Sequence, residues 1–137
     1  MKIFLDTSAL IALYNVDDVN HSSARAVMDA MRDGGIPFTR FYTTDYVIDE
    51  TLTYISCVVG DHGLAVKVGE ALLTSPFTSL LRVDDDLFRG AWEMFRGHEG
   101  LSFTDCVSFQ AMREGGVVYA FSYDGHFKAA GFSTVNG

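Results

Sequence analysis

The sequence predicts an α/β fold, three layers deep, with a mainly parallel central sheet of four to five strands and helices on both faces. Two observations carry that expectation. Short apolar runs alternate along the chain with longer segments whose apolar residues recur at helical spacing. An acidic or hydroxyl residue follows closely on most of those runs, as befits strands that feed capped helices. The 137 residues amount to one domain, spanning 1–137; a chain of about 150 residues buries about 70% of its unfolded surface.

The elements follow in order. Lys2 to Leu5 is a short apolar run that stops at Asp6, as a buried strand would. Thr7 to Tyr14 reads as a helix, with Thr7 or Ser8 in position to cap it. From Asn20 to Arg32, Ala24, Val27, Met28 and Met31 share a helical face, and Asp33-Gly34-Gly35 ends the segment. Pro37 to Thr43 alternates aromatic and polar residues as a second strand. Thr44 or Asp45 then starts a helix to Val59 that carries Glu50; Asp45 is expected to cap and Asp49 to face water.

A helix over Gly63 to Leu73 leads to a strand over Phe77 to Val83. Asp84 to Arg96 is a helix whose acidic first turn suits the macrodipole, so Asp84-Asp85-Asp86 reads as capping and solvation. Thr104 caps or begins a helix to Glu114, closed by Gly115-Gly116. Val117 to Phe121 is a buried strand with Asp124 just beyond it. A short helix (Gly125 to Ala130) and a last strand (Phe132 to Val135) complete the chain. Right-handed crossovers put the helices on both faces of such a sheet.

Composition narrows the function. Aromatics are plentiful, with 11 Phe and 6 Tyr, and 48% of residues are apolar, which excludes a disordered chain. The net charge is −8, and the ten basic residues are scattered, so no basic stripe marks a protein that holds nucleic acid by phosphate neutralisation alone. No apolar run approaches the ~20 residues of a bilayer span. Asp6 interrupts the apolar N-terminus, which does not read as a signal peptide, so a cytoplasmic location is expected. Cys57 and Cys106 have no metal-ligand spacing and read as reduced, buried thiols.

The informative pattern is the placement of four acids. Asp6 and Asp124 follow directly on strands, and Glu50 and Asp105 lie in the first turns of helices. In an open parallel sheet these positions share one edge, so the four can meet in a single crevice. Carboxylates brought together repel, and a divalent cation relieves that repulsion. Hard oxygen donors suit Mg²⁺ or Mn²⁺ (one or two ions) rather than Zn²⁺, and no His pair competes. A receiver-like phosphoacceptor domain would need two adjacent acids after the first strand, and Asp6-Thr7 supplies one. A haloacid-dehalogenase phosphatase would need a second Asp two positions on, where Ser8 stands.

The segments IFLDTSALIALYN, TDYVIDETLTYI, SFTDCVSFQAM and VVYAFSYDGHF, in that order and spanning nearly the whole chain, resemble those of PIN-domain ribonucleases. Within that superfamily the sequence is similar to the VapC-type toxins of prokaryotic toxin–antitoxin pairs. The resemblance implies a metal-dependent endonuclease acting on RNA, with Asp6, Glu50, Asp105 and Asp124 as the metal-binding and catalytic set. It implies that water attacks the phosphodiester to leave a 5′-phosphate and a 3′-hydroxyl. Asp6 and Asp105 are expected as principal ligands, Glu50 as completing the site, and Asp124 as acting through a second ion or its waters. Thr7, Ser8, Thr104 and Ser122 are expected to hydrogen-bond the carboxylates or bound water, and His126 to be structural. A homodimer and an antitoxin partner are implied as well. A housekeeping RNA-processing enzyme and a catalytically silent binding scaffold share the same pattern. The four acids supply half of the net charge, so the acidity is concentrated where a cation would need it.

Overall fold

The structure, a computed structural model, describes residues 1–136; Gly137, the end of the expected domain, lies outside the described residues. Five strands, β1 (Lys2–Leu5), β2 (Arg40–Thr44), β3 (Thr78–Leu81), β4 (Tyr119–Phe121) and β5 (Ser133–Val135), form one sheet in the order β3-β2-β1-β4-β5. Every pairing is parallel. Seven α-helices connect them: α1 (Thr7–Tyr14), α2 (His21–Arg32), α3 (Asp45–Thr53), α4 (His62–Thr74), α5 (Asp85–Gly97), α6 (Phe103–Gly115) and α7 (Gly125–Ala129). The crossovers β1→β2 and β2→β3 run in one direction, whereas β3→β4 steps back across β2 and β1 and β4→β5 continues outward the other way. Right-handed connections therefore place α5, α6 and α7 on the face opposite the earlier helices. The three-layer parallel architecture expected from the sequence is the one observed.

β1 is buried on both faces, which its unbroken apolar run Ile3-Phe4-Leu5 anticipates. Phe4, Phe109, Phe121 and Phe127 are fully buried in the main core, and Phe109 meets Phe127 edge-on with ring centres 4.9 Å apart. Burying one such ring is worth about 1.5–3 kcal/mol. A second cluster, Leu87, Ala91, Cys106, Val107 and Ala111, joins α5 to α6. The buried hydroxyl of Thr43 donates to the Leu5 carbonyl at 2.9 Å, fixing the end of β1 against β2.

Several boundaries differ from the sequence expectation. Asp6, rather than Thr7 or Ser8, caps α1. Thr44 caps α3 by accepting from the Val47 N–H, while Asp45 accepts from the Val83 N–H at 3.1 Å instead. β2 begins at Arg40 and not at Pro37: the register with β1 starts at Lys2 opposite Arg40, and on that side the residues before it pair only with Met1, whose carbonyl accepts from the Thr39 N–H at 3.2 Å. β3, β4 and β5 are likewise shorter than the apolar runs that contain them.

The helix expected to reach Val59 is α-helical only to Thr53; Tyr54–Val59 is a π-helical turn ending at Gly60, whose φ of +80° suits a residue without a Cβ. Ser102, rather than Thr104, caps α6. Cys106 is buried as expected, but Cys57, on the π-helical turn, is exposed. No described helix is long and apolar enough to cross a membrane.

Candidate active site

The carboxyl edge of the sheet places Asp6 one residue past β1, where its backbone N–H still donates to Phe121 of β4 at 3.1 Å. Asp124 lies three residues past β4 and caps α7 through the His126 N–H at 2.9 Å. Glu50 sits in the second turn of α3 and Asp105 in the first turn of α6. All four line one open cleft of about 340 Å³, together with Thr7, Ser8 and His126. Residues separated by most of the chain meet here because parallel strands end at a common edge.

Asp6 is the most constrained of the four, with only 4% of its surface exposed. Its Oδ2 accepts from the Ser8 hydroxyl at 2.6 Å and from the Ser122 hydroxyl at 2.7 Å. Each hydroxyl is itself held by the backbone: Ser8 Oγ accepts from the Tyr123 N–H at 2.9 Å, and Ser122 Oγ from the Asp124 N–H at 3.0 Å. With those lone pairs occupied, each hydroxyl proton is directed at the carboxylate. Hydrogen bonds to a charged group are worth about 1.5–3 kcal/mol each. Oδ1 receives neither hydroxyl.

The electrostatics are those of crowded acids. Burial raises the Asp6 carboxyl above its ordinary range, the two serine hydroxyls oppose that rise, and the charge of Asp124 adds to it. Asp105 is pushed up to about 6, first by burial and then by the charges of Asp124 and Asp6; His126 opposes the rise and Glu50 adds to it. Burial, with Asp105 next door, also raises the Cys106 thiol, which suits an inert core residue.

His126 corrects the sequence reading. Expected to be structural, it lines the cleft, with Nδ1 3.1 Å from Asp124 Oδ1 and 3.5 Å from Asp105 Oδ2. One ligand atom from each of Asp105, Asp124 and His126 lies within 4.8 Å of the others. The sequence signal was present in the Asp-Gly-His order at a helix start, but nothing local says which way the ring turns. Ser8 and Ser122 contact Asp6 directly. Thr7 lines the cleft, and its buried Oγ1 has no hydrogen-bond partner among the described residues. Thr104 is half-buried on α6, outside the cleft lining, and Ser102 is the hydroxyl nearby that lines it.

The donor set matches a hard divalent cation: carboxylate oxygens at a shared edge, an unpartnered buried hydroxyl and a single imidazole. A Zn²⁺ site built on Cys and His would present different groups.

Comparison with known proteins places the chain in a family. The PIN domain family model matches residues 3–133. The chain is 35% identical, over 97% of its own length and 97% of the relative's, to the 23S rRNA-specific endonuclease VapC20 of Mycobacterium tuberculosis, in both strain CDC 1551 and strain H37Rv. It superposes on the crystal structure of M. tuberculosis VapC20, described as a sarcin–ricin loop cleaving toxin, with a TM-score of 0.87 and 34% identity over 98% of this chain and 99% of that one. FitAcB from Neisseria gonorrhoeae shares the fold at a TM-score of 0.65 and 15% identity, over 98% of this chain and 96% of that one. The chain therefore belongs to the PIN-domain family and is similar to its VapC-type toxins.

Proposed function

We propose that this protein is a Mg²⁺- or Mn²⁺-dependent endoribonuclease, the toxin of a VapBC-type pair, that cleaves ribosomal RNA. The observation that carries the reading is the shared cleft of Asp6, Glu50, Asp105 and Asp124, with Asp6 fixed by two hydroxyls. The likeness to VapC20 over nearly the whole of both chains supports 23S rRNA as the target. Asp6 and Asp105 are the principal ligands, Glu50 completes the set, and Asp124 with His126 closes its far side. When bound, the ion supplies positive charge beside the scissile phosphodiester and a lowered pKa for water.

The chain's own groups do the positioning. Ser8 and Ser122 hold Oδ2 of Asp6, leaving Oδ1 for the cleft. Thr7 Oγ1 offers an unengaged hydroxyl to a ligand. His126 Nδ1 stands between the two acids, 3.1 Å from Asp124 Oδ1 and 3.5 Å from Asp105 Oδ2.

Partners follow from the same reading: a cognate antitoxin, and a second copy of the chain. On α5, Phe88, Trp92 and Phe95 stay more than a third exposed, and Phe88 and Phe95 pack around Phe103. An aromatic face of this kind on a domain of this size supports a homodimer through α5.

Cleavage of a sarcin–ricin loop RNA in Mg²⁺ tests the nuclease. Wild type should cut it, chelator should stop the reaction, and Asp6→Asn should lose activity with an unchanged circular dichroism spectrum. Undiminished cleavage by Asp6→Asn would sink the assignment.

A further inference from the structure

A second cleft, of about 450 Å³, opens between α5, α6 and α7 and shares His126 with the acidic one. We infer that this second cleft holds one unpaired nucleotide of the RNA, next to the phosphodiester that the acidic site addresses, with Arg113 as its phosphate-side anchor. The inference rests on the nuclease reading and adds a substrate-binding site to it.

Its walls suit a nucleobase. Met94 and Leu101 supply apolar surface, backed by the buried Phe109, and polar groups stand among them: Arg113, His98 and Glu99. Ligand sites are commonly clefts of about 300–1,000 Å³ with apolar walls and a few convergent polar groups. His98 Nδ1 lies 2.9 Å from the Met94 carbonyl, to which it must donate. The neutral ring is thereby left with Nε2 as an acceptor. The Glu99 carboxylate is an acceptor too, so the pair complements a base that carries an exocyclic amine.

Arg113 is prepared for an anion before any arrives. Its guanidinium lies over the Phe132 ring at 5.7 Å and donates to the Ala130 carbonyl at 3.4 Å. Its remaining N–H groups are free to take a phosphate. The chain needs such an anchor, because its net charge is −8 and the neighbouring cleft concentrates four acids.

The α5–α6 turn divides the two clefts. His98, Glu99 and Leu101 line the second cleft, while Gly100 and Ser102 line the acidic one. Gly100 makes that alternation possible with a φ of +91°, which residues with a Cβ rarely adopt. A nucleotide seated in the second cleft would thus hand its phosphate to the acidic cleft at His126.

The test separates binding from cleavage. Metal-free Asp6→Asn protein is titrated with 5′-AMP and followed by heteronuclear NMR. Low-millimolar AMP should shift resonances of Leu101, Phe109 and Arg113, and Arg113→Ala or His98→Ala should each weaken binding by about tenfold. In wild type with Mg²⁺, Arg113→Ala should raise KM for the RNA about tenfold while kcat changes little. Unmoved cleft resonances, equal shifts with inorganic phosphate alone, or unchanged binding by Arg113→Ala would each overturn the inference. Because the titration requires no cleavage, an inactive wild type would count against the nuclease and not against the nucleotide cleft.

Discussion

Ser122 Oγ donates to Asp6 Oδ2 at 2.7 Å, joining residues 116 positions apart at the ends of neighbouring strands. The bond, with its counterpart from Ser8, turns a buried carboxylate into an oriented one. Removing either hydroxyl leaves the acid in place with one bond fewer to fix its orientation.

Ser122→Ala should therefore lower the rate of RNA cleavage by about 10–100-fold, the usual cost of losing a group that orients a ligand. Ser8→Ala should do the same. Because both hydroxyls act on one oxygen, the double variant should lose less than the product of the two single losses. Initial rates in Mg²⁺ check this; a strictly multiplicative loss would show that the hydroxyls act separately.

Divalent cation should stabilise the folded protein. At a concentration a hundred times Kd the gain is about 2.7 kcal/mol, a Tm increase on the order of 8 °C for a chain of this size. Differential scanning fluorimetry with Mg²⁺ or Mn²⁺ should show that rise in wild type and little of it in Asp6→Asn. An equal rise in both would mean that the ion binds elsewhere.

The metal-free protein should lose stability as pH rises from 4 to 7. Asp105 titrates at about 6 in the folded state against 3.8 for a free carboxyl, so the fold binds the proton more tightly than the unfolded chain. Below pH 4 both states are protonated and this group adds no slope. Between 4 and 6 stability falls, and above 6 the cost is complete. Once screening by water in the open cleft is allowed for, that cost is about 1–2 kcal/mol. Asp105→Asn should flatten the Tm profile and melt higher than wild type at pH 7; a steeper profile in the variant would contradict the sign.

The aromatic face of α5 predicts that Trp92→Glu is monomeric. Trp92 is 48% exposed, so the substitution opens no cavity in the core. Light scattering after size exclusion should give one chain's mass for the variant and twice that for wild type. A dimeric variant would place the contact on another surface.

Much of the site was readable because it obeys a rule of parallel sheets. Asp6 follows Ile3-Phe4-Leu5 directly, and an acid so placed must lie at the carboxyl edge. Glu50 and Asp105 followed from the same edge, since the helices carrying them start there. What escaped was set by packing at longer range. His126 stands on a five-residue helix with no period to orient it, and it turns toward two acids because Phe127 is locked beneath it against Phe4 and Phe109. Ser102 and Thr104 are both good caps, and the helix starts at Phe103, two positions of chain having separated the candidates. The π-helical turn carries no marker in Tyr54–Val59 beyond the glycine that ends it. The cleft containing Arg113 exists only where α5, α6 and α7 dock.

The central position of β1 has a consequence for synthesis. Asp6 is made more than a hundred residues ahead of β4, Ser122 and Asp124. Until they emerge, β1 lacks its neighbour on one side, Asp6 lacks a hydroxyl partner, and the cleft has no far wall. An unfinished chain thus carries the acids without their arrangement. The cleft is therefore assembled only late in synthesis.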